Sequence, residues 1–167
     1  MRLYNKIALA LYVSLVLGAV TSITGCTKFH HADVKDGYAT DYPLSPTEYT
    51  IYVSKETSAA SNILYTRMAM ASKVIAGSYP WEDETENAEE AVSKMQSIVD
   101  GVTTTMPPES YESDRQAFLD QLEQAKTYLE DYQSHLENRD TAAIKSDITL
   151  FESSFLSLGG DANIAYE

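Results

Sequence analysis

Three histidines, one cysteine and a group of acids hold most of the chemistry open to this 167-residue chain. His135 stands four residues after Asp131, the spacing that lets two side chains meet on one face of a helix. Such a pair could shuttle a proton. It has no companion Gly-x-Ser-x-Gly elbow, Gly-rich phosphate loop or His-Glu-x-x-His motif, so a solvated helix face with Arg139 nearby is the plainer reading. His30 and His31, with Asp33 and Asp36, offer metal donors. A real site needs three or four fixed ligands with hydrogen-bonded support, and a polar linker is expected here instead. The acids Glu82, Asp83, Glu84, Glu86, Glu89 and Glu90 could attract Ca²⁺, yet they lack the alternating Asp/Asn spacing and the glycine of a calcium loop. They suit the positive end of a helix, where they would sit in solvent. No Glu-x-x-His pair of the di-iron kind occurs. The expectation is a chain with no cofactor, no metal and no enzymatic activity.

Two further features point to binding. Arg67 falls between the apolar flanks of its segment, one helical step from both Ile63 and Leu64. It is either an edge arginine with its head in water or a buried one that meets an acid from another helix or an anionic ligand. Arg67 and His135 are therefore the candidate ligand contacts. Twelve tyrosines are unusual, and Tyr38, Tyr42, Tyr49, Tyr52, Tyr65 and Tyr79 gather in the first half with Trp81. Tyr49, Tyr52 and Trp81 are a candidate interface, because amphipathic rings favour contact surfaces; core positions with the hydroxyl at the rim are the alternative.

Composition narrows the classes. Lys and Arg number 12 against 25 Asp and Glu, a net charge of −13, so no basic stripe exists to meet nucleic-acid phosphates. One cysteine excludes an intramolecular disulfide and a multi-cysteine zinc site. Hydrophobic residues at 44% suffice for the core of one domain.

That cysteine has a place. Arg2 and Lys6 precede an apolar run from Ile7 to Val20, followed by Ile23-Thr24-Gly25-Cys26. Fourteen helical residues reach about 21 Å, short of a roughly 30 Å hydrocarbon core, which favours a cleaved export signal over a membrane span. Ile23-Thr24-Gly25-Cys26 resembles the lipobox of bacterial lipoproteins. The resemblance implies cleavage between Gly25 and Cys26, a diacylglyceryl thioether on Cys26, and attachment to the extracytoplasmic face of the cell membrane, or to the outer membrane in a two-membrane bacterium. Two or three acyl chains hold firmly where one holds marginally. Removing residues 1–25 takes away Arg2 and Lys6 and no acid, leaving ten bases against 25 acids, or −15 on 142 residues.

The elements that must position these groups follow. Residues 26–46 carry Gly37, Pro43 and Pro46 and read as a tether. Residues 47–160 read as a helical bundle, and 161–167 as a loose tail. The first helical stretch runs from about Pro46 to Ile75, capped by Ser45 or Thr47 and ended by Gly77-Ser78-Tyr79-Pro80. The second starts near Glu82 with the stripe Ala88, Val92, Met95, Val99, Val102; it should fray or stop at Gly101 and must stop by Pro107-Pro108. The third takes Pro108 in its first turn and carries the stripe Tyr111, Phe118, Leu122, Ala125, Leu129, Tyr132 and Leu136. The fourth starts after the N-cap Asp140, carries Ile144, Ile148, Phe151, Phe155 and Leu158, and ends at Gly159-Gly160. Steps of three and four average the period of helices packed at shallow angles. The expected fold is an all-α, up-down-up-down four-helix bundle, with a three-helix bundle as the alternative. The expected role is a membrane-anchored, non-enzymatic binding or interaction module with an envelope protein partner, or alternatively a lipoprotein that binds a small ligand or metal.

Overall fold

Ser45 and Glu48 start the first helix by satisfying each other. The Glu48 amide donates to Ser45 Oγ at 3.3 Å, and the Ser45 amide donates to the Glu48 carboxylate at 2.9 Å. This capping box, with Pro46 in the first turn, opens α1 (Pro46–Ile75). The structure, a computed structural model, describes residues 42–161. The expected export signal, Cys26, His30, His31 and the expected tail beyond 161 lie outside the described residues.

Helix α1 ends at Gly77, whose φ of 71° is open to glycine at little cost. The Ser78 amide reaches back to Lys73 O at 2.9 Å, closing the terminal carbonyls. Helix α2 spans Trp81–Thr104. A short 3₁₀ turn, Glu109–Tyr111, leads into α3 (Glu112–Glu137). Helix α4 spans Thr141–Asp161, with Asp140 Oδ1 accepting from the amides of Ala142 and Ala143 at 3.0 Å.

Each helix packs on its neighbours in sequence, and α4 closes the ring against α1. Short connections make neighbours antiparallel, which gives a four-helix bundle. The described residues contain no strand and no helix long and apolar enough to cross a membrane.

One register runs through all four helices. Buried positions are Thr57, Ala60, Leu64, Arg67, Ala71 and Val74 on α1, and Glu84, Ala88, Ala91, Met95, Ile98 and Val102 on α2. On α3 they are Phe118, Leu122, Ala125, Leu129, Tyr132 and Leu136; on α4, Ile144, Asp147, Phe151, Ser154 and Leu158. Along these stripes every step is three or four residues, and Tyr49, Tyr52, Val99 and Leu119 are buried beside them. Tyr132 and Phe151 meet edge to face at 5.2 Å in the middle of the core.

Four local expectations change. Helix α2 continues through Gly101 to Thr104, with Val102 fully buried one residue on; a Cβ at Gly101 would come within 3.1 Å of the Tyr52 hydroxyl, so the glycine makes room for a neighbouring helix rather than ending its own. Helix α4 runs over Gly159 and Gly160, held by the buried Leu158 beside them. Pro108 precedes the 3₁₀ turn rather than sitting in the first turn of α3, and on α2 Ala91 and Ile98 are buried where Val92 is only partly so.

Candidate functional site

Arg67 and Glu84 form an ion pair inside the bundle. Nη1 donates to Glu84 Oε1 at 3.0 Å, with Arg67 8% exposed and Glu84 fully buried. Tyr132, from α3, donates its hydroxyl to the same oxygen at 2.9 Å. Three helices thus converge on one carboxylate. Its second oxygen, Oε2, is buried with no partner among the described residues. Burial pushes the Glu84 carboxyl above its ordinary value, although Arg67 and the Tyr132 hydroxyl both pull it down. Burial, then the adjacent Glu84 charge, pushes the Tyr132 phenol up.

Helix α1 explains why a charge sits there. Arg67 follows Leu64 by three residues and precedes Ala71 by four, so it occupies a core position of the register. Glu84 is four residues before Ala88 and belongs to the α2 stripe for the same reason. The reading of the whole acidic run as a solvated helix start is corrected at this residue. Glu82, Asp83, Glu86, Glu89 and Glu90 are exposed, but Glu84 faces inward. The available signal was register: extending the Ala88 stripe one step toward the N-terminus reaches Glu84.

His135 is similarly reassigned. Its Nδ1 lies 2.8 Å from Oδ2 of Asp147 on α4, while Asp131, four residues before it, stays exposed. The ring turns inward because Asp147 sits in the α4 core stripe, three residues after Ile144 and 2% exposed. Burial raises the Asp147 carboxyl, partly offset by the hydrogen bond from His135. Asp147 was not singled out by the sequence, and again only its register could have shown it.

The tyrosine interface is also corrected. Tyr49 and Tyr52 are core residues, each 2% exposed. Tyr49 packs edge-on against Tyr111 at 5.5 Å, and Leu44 ties the chain just before α1 to Met106 O at 3.0 Å, so this end of the bundle is closed over both rings. Burial pushes the Tyr49 phenol up to about 12. Trp81 is half-buried against the core, and among the described residues the well-exposed tyrosines are Tyr42 and Tyr65.

Arg67 borders a concavity that His135 does not. Along the sparsest of the four edges, between α1 and α2, runs an open groove of about 540 Å³. Ala59, Ile63, Ala91 and Ile98 give it apolar walls, and Asn62, Thr66, Asn87, Glu90, Lys94 and Ser97 supply polar groups around them. Small side chains on both helices leave this space unfilled. Glu90 and Lys94 pair at 2.7 Å on the α2 side, an exposed contact of little energetic weight. The volume falls within the ~300–1,000 Å³ of small-molecule sites.

Among the described residues no cluster of three or more His, Cys, Asp or Glu is arranged to hold a metal ion. Compared with known proteins, the chain matches no family model, no curated protein and no solved structure.

Proposed function

We propose that this chain is a lipid-anchored protein of the bacterial cell envelope, displayed on the extracytoplasmic side, and that it works by binding rather than by catalysis. The anchor rests on Ile23-Thr24-Gly25-Cys26 behind a short apolar run. The α1–α2 groove carries the binding half: it joins apolar walls to amide, hydroxyl and cationic groups. That favours a ligand held between helices over a flat protein contact through Tyr49, Tyr52 and Trp81, since the first two are sealed in the core.

Two measurements in cells test this. Cys26→Ala is expected to release the chain from the membrane fraction and to change its gel mobility; a variant still tightly membrane-bound with unchanged mobility overturns the anchor. A photoreactive side chain at Asn62, on the groove, is expected to form adducts that a control at exposed Glu152 does not. Those adducts should vanish when Ala59→Trp fills the groove. Equal labelling at both positions overturns the groove as the binding site.

A further inference from the structure

Arg67 commits only part of its guanidinium to the protein. Nη1 donates to Glu84, and no described residue accepts from Nε or Nη2. Those two nitrogens form the side-on fork that matches the two oxygens of a carboxylate. The side chain is 10% accessible, and the residue lines the α1–α2 groove beside Ile63, Ala91 and Ile98. A donor edge left open in a largely desolvated position binds an anion more strongly than the same edge in water.

Charge elsewhere sharpens the preference. The chain is strongly acidic, so an anion is repelled by most of its surface and is accepted only where cations are gathered. Two cations, Arg67 and Lys94, line this groove against one acid, Glu90, which Lys94 already pairs at 2.7 Å, so the positive charge left to a ligand is that of Arg67. Lys94, by hydrogen bond and charge, and then Arg67 hold the Glu90 carboxyl below its ordinary value, so the Arg67 field reaches across the groove.

We propose that the α1–α2 groove binds small amphipathic molecules with one carboxylate, the head clasped by Nε and Nη2 of Arg67 and the hydrocarbon body laid on Ile63, Ala91 and Ile98. This rests on the reading of the chain as a binding module and names its ligand class. Glu84 and Tyr132 act as positioning residues. By engaging Nη1 from behind, they fix the guanidinium plane so that the fork is preorganised.

The test uses the full acylated chain in phosphatidylcholine nanodiscs, titrated calorimetrically with 4-phenylbutyrate and with its neutral amide, 4-phenylbutanamide, against empty nanodiscs. The carboxylate is expected to bind at least about tenfold more tightly than the amide, the size of one charge-assisted contact. Arg67→Lys keeps the charge and the pairing to Glu84 but removes the fork, and should cut that preference at least about fivefold. Ala59→Trp leaves Arg67 untouched and should weaken both ligands. Equal affinity for acid and amide, a preference that survives Arg67→Lys, or binding indifferent to Ala59→Trp each overturns the proposal. If neither probe binds while the Asn62 adducts still form and still vanish in Ala59→Trp, the carboxylate assignment falls and the binding reading stands.

Discussion

Arg67 on α1 and Glu84 on α2 meet at 3.0 Å in the core, each at a buried position of the bundle register. Desolvating both charges is costly, and their mutual attraction together with the Tyr132 hydroxyl offsets that cost. The pair is therefore tightly interdependent. Arg67→Met alone should destabilise the bundle by about 3–5 kcal/mol at neutral pH, because it leaves a buried carboxylate uncompensated. Arg67→Met with Glu84→Leu should recover most of that loss. Urea midpoints of the single and double variants check this; equal loss in both would show that packing around the arginine stem, not the ion pair, sets the cost.

The contribution of Glu84 and Asp147 to stability should fall as pH rises. Burial raises the Glu84 carboxyl above its ordinary 4.5 and the Asp147 carboxyl above its ordinary 3.8. Between the unfolded and the folded values the native state holds more protons than the unfolded chain, so the contribution is present at low pH and is lost through that window. Glu84→Gln should flatten the slope. Denaturation midpoints followed by circular dichroism from pH 4 upward measure it, and a slope unchanged in Glu84→Gln would place its origin elsewhere.

His135 and Asp147 form a contact between helices, not a pair along one. His135→Ala should cost about 1–3 kcal/mol, because Asp147 stays buried and loses its partner. Asp131→Ala, at an exposed position, should change stability by less than about 0.5 kcal/mol. Thermal melts of the two variants separate the assignments, and comparable losses would restore Asp131 as the partner.

Arg139 carries a backbone cost. It follows α3 with φ of 52°, the left-handed conformation that glycine adopts most easily, and the Asp140 amide closes the helix end on His135 O at 2.9 Å. Arg139→Gly should stabilise the bundle by about 0.5–1 kcal/mol. It also removes the contact between Arg139 and Glu82, which is exposed on both sides and worth little. A lower melting temperature in Arg139→Gly would show that this contact outweighs the backbone relief.

The sequence by itself determined the frame. Ser45 and Asp140 as caps, Gly77 and Pro80 as a stop, and stripes stepping three and four place all four helices, because each is a local signal read within a turn or two. The bundle followed from those stripes and the short connections. Local signals misjudged Gly101 and Gly159-Gly160, where the burial of Val102 and of Leu158 outweighs the low helical preference of glycine. Only the tertiary structure decided the partners. Arg67 could have faced solvent or core from its spacing alone; the acid that meets it comes from another helix, 17 residues on, and the tyrosine completing the set comes 48 residues after that acid. Asp131 lay at the right spacing for His135, yet Asp147 is the group that the packing of α3 on α4 buries against it. The groove is likewise a property of two helices and not of either. It exists because small side chains of α1 and α2 come opposite one another, and no single stripe records what faces it across the bundle.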